Sequence, residues 1–170
     1  MKKAILVIAQ EGFQDREFSV TRDILVKGNI ALTVAAISLS PATGALGSKV
    51  VPDIALNKAS AKDYDAVVFI GGHGAVEHWD EPAAHRLAKE VYAQGGLAAA
   101  ICIAPVTLAK AGILRAKRAT VFPEETAEIK KYGAVYTASG VERDGRVITA
   151  SGPAAAEKFA ETILEALLTE

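Results

Sequence analysis

The run Leu97-Ala98-Ala99-Ala100-Ile101-Cys102-Ile103-Ala104-Pro105 decides the fold. Its first five residues are apolar without alternation, which is how a strand reads when helices cover both faces of a parallel sheet. Cys102 follows, and after two more residues Pro105 opens a helical segment carrying Val106, Leu108 and Ala109. A side chain in so short a strand-to-helix connection is pushed out of the sheet at an elbow with a strained backbone. Cys102 is expected to be the one residue of this kind. Its thiol would face a helix N-terminus, where the dipole and free N–H groups favour a thiolate. The alternative is a buried structural cysteine, because free cysteine is among the most buried residue types.

Working outward, three more apolar runs have the same character: Ala4 to Ala9, Ala31 to Ile37 and Ala66 to Ile70. Helical patterns separate them. Phe18, Ile24 and Leu25 form one stripe ending at Gly28. Asp80-Glu81-Pro82 opens another, with Leu87, Ala88 and Val91 buried as far as Gly95-Gly96. Residues 42 to 56 break the alternation, and Gly44, Gly47 and Pro52 around Lys49-Val50-Val51 suggest a small hairpin. Asp144-Gly145 between Val141-Glu142-Arg143 and Arg146-Val147-Ile148-Thr149 reads as a tight hairpin. A last helix from Gly152-Pro153 buries Phe159, Ile163, Leu164 and Leu167. The order of strand and helix predicts a three-layer α/β sandwich with a mostly parallel sheet.

With 170 residues the chain is expected to form a single domain spanning 1–170. A net charge of −1 supplies no basic field for nucleic acid or an anionic membrane surface, so neither is an expected partner. One cysteine cannot form an internal disulfide, and the first apolar run is too short for a signal peptide or a membrane helix. A cytoplasmic protein is expected. Gly44 to Lys49 resembles a phosphate loop only superficially, because its spacing is wrong and no strand precedes it.

In an open parallel sheet the chemistry sits beyond the carboxyl ends of the strands. Three segments fall there: Gln10 to Glu17, Gly71 to Trp79 and Cys102 to Pro105. Asp15 and Glu17 lie where one carboxylate could reach Cys102 or simply favour a helix dipole. His73, Glu77 and His78 are candidates for acid/base work or for a loop facing a partner subunit. The spacing of these three permits a metal, but no helix or strand presents them together, and no metal or cofactor is expected. Trp79 reads as a packing or dimer-interface anchor, and Glu124 and Glu125 as a solvated helix start.

The run Ala99 to Pro105, the turn Phe69-Ile70-Gly71-Gly72 and the downstream Lys110-Ala111-Gly112-Ile113-Leu114 resemble the ThiJ/PfpI family, the superfamily of the Parkinsonism-associated deglycase. The resemblance implies a flavodoxin-like sandwich with a nucleophile elbow, usually a homodimer. It makes Cys102 the reactive centre, with the N–H groups of Gly72 and Ile103 as an oxyanion pair beside Gly71 and Phe122. Alignment on Phe13-Gln14-Asp15 puts Gln14 where the family has a protonated glutamate against the sulfur. Ile103 and Phe122 stand where peptidase-like and deglycase-like members carry histidines. An amide cannot shuttle a proton, so on this alignment the usual proton carriers are absent. The implied function is a cysteine-dependent enzyme acting on small reactive carbonyls, glyoxalase-like or deglycase-like, through a thiohemiacetal at Cys102. The alternatives are an oxidative-stress protein with a redox-sensitive Cys102 and an intracellular cysteine peptidase.

Overall fold

The protein is described by a computed structural model covering residues 1–169. In chain order the strands and helices are β1 (Lys3–Val7), β2 (Glu11–Phe13), α1 (Asp15–Lys27), β3 (Ala31–Ala36), β4 (Ala42–Gly44), β5 (Lys49–Val50) and β6 (Ile54–Ala55). They continue with β7 (Ala66–Phe69), α2 (Pro82–Ala93), β8 (Leu97–Ile101), α3 (Pro105–Lys110), β9 (Arg118–Ala119) and α4 (Thr126–Lys131). The chain closes with β10 (Val135–Tyr136), β11 (Val141–Asp144), β12 (Val147–Ala150) and α5 (Ala156–Leu168).

Seven strands make the central sheet in the order β11-β12-β8-β7-β1-β3-β6. All its pairings are parallel except β11 with β12. The unbroken apolar runs have the expected cause. Ile5, Val7, Val67, Phe69, Ala98 and Ala100 share one core with Leu87 and Val91 of α2 and with Val106 and Leu108 of α3. Their strand neighbours Ala4, Leu6, Val68, Ala99 and Ile101 share the other with Phe18 and Leu25 of α1 and Phe159 and Ile163 of α5. Side chains alternate across a strand, so two apolar layers require apolar residues at every position.

The structure departs from the sequence reading in three places and settles one point that the sequence leaves open. β12 is an arm of the Asp144-Gly145 hairpin and also a parallel partner of β8, with Val147 opposite Ala98. That makes it the fifth long parallel strand, which a hairpin signal alone conceals. Within the Asp80-Glu81-Pro82 opening the capping residue is Glu81, its carboxylate accepting the Ala83 N–H at 3.2 Å. Gly28 closes α1 with an ordinary φ of −79°, and the left-handed residue is Asn29 at 67°. Cys102 has φ 66°, but it shares that backbone region with Asn29 and with Ala116 at 61°. Asparagine tolerates the region through its short polar side chain, whereas cysteine has no such compensation. The excursion after β3 is a β4-β5 hairpin, as expected, with β2 added alongside β4.

Phe159, fully buried on α5, closes the core beneath the elbow. Phe159→Ala should lower unfolding free energy by about 3–5 kcal/mol in urea titrations, with an unchanged slope. A loss below about 1 kcal/mol would contradict this packing.

Candidate active site

Three backbone bonds hold the elbow. Cys102 donates its N–H to Ala150 O at 2.9 Å, its carbonyl accepts the Phe122 N–H at 2.8 Å, and Ala104 N–H reaches Ile101 O at 3.1 Å. A non-glycine residue at positive φ costs on the order of 1–3 kcal/mol and persists only where its surroundings over-determine it. These bonds do so, and they aim the thiol away from the sheet. The N–H groups of Gly72 and Ile103 both donate to the sulfur. Gly72 itself sits at φ 107°, and a Cβ there would collide with Gly12 O and Gln14 N.

The carboxyl that meets this sulfur belongs to Glu17. Gln14 starts α1 by accepting the Glu17 N–H on its side-chain oxygen at 2.7 Å, while its own N–H donates to Gly71 O at 2.8 Å. The first turn of α1 is thereby fixed against the end of β7. Glu17, fully buried, accepts the Gly71 N–H on Oε1 at 2.9 Å and hydrogen-bonds the Cys102 thiol. Gly71 has to be glycine, because a Cβ would strike Cys102 Cβ and stand 2.6 Å from Glu17 Oε1.

Burial pushes the Glu17 carboxyl up to about 8, against the pull of its bonds to Gly71 and Cys102. Burial also pushes the Cys102 thiol up to about 12; charge on Glu17 adds to the rise, and the Gly72 and Ile103 N–H groups oppose it. The thiolate expected from a helix N-terminus is therefore not the resting state. α3 has only six residues, and Cys102 is 8% exposed, so desolvation outweighs the dipole. The two groups titrate as a pair, and the first proton lost leaves one negative charge for sulfur and carboxyl to share.

The structure sorts the other candidates. Gln14 caps the helix and does not take the glutamate's place: three residues on, Glu17 faces inward. Asp15 turns the other way. Burial raises its carboxyl, but Ser48 and the N–H groups of Leu46 (2.7 Å) and Ser48 (2.9 Å) overcome this and hold it below the usual carboxylate range. It anchors the 45–48 turn and makes no bond to Cys102. His78 is neither at the site nor on a partner-facing surface. It is 1% exposed, and burial lowers its imidazole to about 4, so it is neutral. Glu77 accepts the Gln10 N–H at 2.7 Å and is tied to the turn after β1.

A cavity of about 360 Å³ opens over Cys102, lined by Gly72, His73, Val76, Trp79, Ile103, Phe122, Glu124 and Glu125. His73 and Phe122 both line this cavity. Trp79 packs against the core and forms a wall of the cavity, its indole N–H donating to Ile103 O at 3.1 Å, in keeping with the packing alternative of its two expected roles. Glu124 and Glu125 were legible only as solvated residues; a 3-10 turn at Pro123–Glu125 brings them to the rim. Among the described residues, no three His, Cys, Asp or Glu side chains form a group able to hold a metal ion. No helix of the described residues is long and apolar enough to cross a membrane.

An elbow cysteine at the carboxyl end of a parallel sheet, with two N–H donors and a buried carboxyl on its sulfur, defines a cysteine-centred α/β protein. Residues 2–166 match the model of the DJ-1/PfpI family, and the chain belongs to that family. It is 36% identical over 168 residues to an uncharacterized protein of Methanocaldococcus jannaschii, covering 97% of this chain and 82% of that protein. It is 34% identical over 166 residues to the glutathione-independent glyoxalase DJR-1.2 of Caenorhabditis elegans, covering 98% and 89%. Among solved structures it superposes on a ThiJ/PfpI domain protein from Brachyspira murdochii with a TM-score of 0.96, at 26% identity, covering 99% of this chain and 97% of that one. Drosophila melanogaster DJ-1beta gives 0.91 at 30% identity, covering 99% and 91%.

The Glu17 shift makes stability depend on pH. The unfolded chain releases this proton near 4.5 and the folded protein near 8, so the contribution is fully present below pH 4.5 and is lost as pH rises through 8. Glu17→Gln, which stays neutral, should gain on wild type between those values by roughly 3–5 kcal/mol. Urea unfolding at pH 4.5 and 8 checks this. A stability gap that does not widen with pH would show that the carboxyl is not held protonated.

Proposed function

We propose that the protein is a cofactor-independent glyoxalase-type enzyme that converts small 2-oxoaldehydes to 2-hydroxy acids. The observation that carries this reading is the buried Glu17 carboxyl bonded at once to Gly71 N–H and to the thiol of Cys102, which itself lines an open cavity. Once the pair has lost one proton, Glu17 draws the thiol proton and the sulfur adds to the aldehyde carbon. An S–C bond forms, and the carbonyl oxygen takes the charge facing the N–H groups of Gly72 and Ile103, then a proton. Glu17, again a carboxylate, removes the hydrogen on that carbon as a proton to give an enediol. A proton returned to the neighbouring carbon yields a thioester of the 2-hydroxy acid. The aldehyde carbon is thereby oxidised and the ketone carbon reduced, with no external oxidant. Water then cleaves the thioester, releasing the 2-hydroxy acid and the thiol.

Glu17 handles the protons at carbon, and we assign His73, on the exposed side of the cavity, to exchange with solvent. The same adduct chemistry would serve a deglycase, where the carbonyl is already attached to an amine. A peptidase role lacks support, because Ile103 beside the sulfur cannot carry a proton. A redox-sensor role is weakened by burial, which raises the thiol and slows its oxidation.

Methylglyoxal consumption and lactate formation test the reading. Cys102→Ser should abolish both, and Glu17→Gln should lower kcat on the order of a hundredfold to ten-thousandfold. The wild-type rate should climb with pH and level off above about 8, where the pair is ionised. Turnover by Cys102→Ser at the wild-type rate would remove this site from the reaction.

A further inference from the structure

The lining of the cavity over Cys102 is lopsided. Val76, Trp79, Ile103 and Phe122 make an apolar wall, and Val76 is half exposed. The acidic lining residues are Glu124 and Glu125, His73 is the basic one, and none of the described lining residues is Lys or Arg. Glu125 is held above the ordinary glutamate range by burial and by the charges of Glu128 and Glu124, which marks the rim as a place where another negative charge is unwelcome.

The wall is also rigid at its centre. Trp79 is held at three points: its indole N–H donates to Ile103 O at 3.1 Å, its backbone N–H to Val76 O at 3.1 Å, and its carbonyl accepts His85 Nε2 at 2.7 Å. A ring fixed in this way presents a flat apolar face without an ordering cost when a ligand arrives. At about 360 Å³ the space far exceeds what a methyl substituent fills, so a ligand no larger than methylglyoxal leaves most of this wall uncovered.

We infer that the cavity selects carbonyl compounds whose substituent is an aryl or branched alkyl group lying against Trp79 and Phe122, and turns away those carrying a carboxylate at the Glu124–Glu125 rim. Resting on the reaction proposed above, the preferred substrate class is the neutral aryl or branched-alkyl 2-oxoaldehyde. The acidic rim then has a second use, since the product gains a carboxylate that the substrate lacks, and like charges at the mouth favour its departure. Trp79 is a specificity-determining side chain in this account, and it takes no part in the bond-making steps.

Two measurements on the intact protein test the inference separately from the reaction. The first compares kcat/KM for methylglyoxal, phenylglyoxal and phenylglyoxal bearing a para-carboxylate. Phenylglyoxal should exceed methylglyoxal by on the order of tenfold to a hundredfold, mainly through KM. Trp79→Ala should bring that ratio close to one, and Trp79→Phe should keep most of it. The para-carboxylate should lose at least about tenfold against phenylglyoxal, and Glu124→Gln/Glu125→Gln should restore much of the loss.

The second uses Cys102→Ser and unreactive ketones. Trp79 is the one tryptophan of the chain, so its fluorescence reports occupancy of the cavity. Acetophenone should quench it at concentrations at least about tenfold below acetone or 4-acetylbenzoate. Acetophenone binding no tighter than either would overturn the inference even if methylglyoxal is consumed. Selective acetophenone binding with no turnover of any aldehyde would sustain the inference on the cavity and overturn the reaction assigned to it.

Discussion

The contact of the Glu17 carboxyl with Gly71 N–H and the Cys102 sulfur is the constraint around which this end of the molecule is arranged. A carboxyl group removed from water keeps its proton unless donors compensate, and here one N–H and one thiol are not enough to restore an ordinary acidity. Everything nearby keeps that arrangement closed. Gly71 removes the Cβ that would stand between carboxyl and sulfur. Gln14 ties the first turn of α1 to β7. The elbow at Cys102 accepts an unfavourable φ so that the sulfur leaves the sheet towards the carboxyl. The positive φ of Cys102 costs stability, and what it leaves in place is a proton held next to a thiol.

Most of the scaffold was legible in the sequence because its cause is simple. A strand covered on both faces must be apolar throughout, and the runs at Ala4, Ala66 and Leu97 announce themselves without any tertiary knowledge; the run at Ala31 reads the same way, although the first four residues of β3 are only partly buried. Cys102 was legible for a related reason: Pro105 leaves too little chain between strand and helix for anything but an elbow. β12 was half legible. Its turn with β11 is written locally, but its parallel pairing with β8 is a long-range choice that no local pattern encodes.

The side chains around the sulfur were harder to read, and the reason is helix phase. Gln14 and Glu17 differ by three residues, which is nearly one turn, so both project along similar directions from the same stretch. Which of them caps and which points inward depends on where the helix begins, and helix boundaries are the least determinate feature of a sequence. Asp15 reads as an acidic first-turn residue, yet its partners Leu46 and Ser48 come from a hairpin some thirty residues away. Glu124 and Glu125 look solvated because nothing nearby shows that a 3-10 turn carries them to the mouth of the cavity. His78 looks like a loop residue and is buried, since the stretch from Gly72 coils into a 3-10 helix that turns it inward.

Membership of the DJ-1/PfpI family and the geometry at Cys102 point the same way, yet they bear on different levels. The family relation accounts for the fold. The proposed chemistry rests on the ionisation of one carboxyl. A carbon-13 NMR titration with labelled glutamate, its Glu17 resonance assigned by loss in Glu17→Gln, measures that directly. The account predicts that Glu17 titrates near pH 8. Titration near 4.5, the ordinary value of a glutamate side chain, would contradict it.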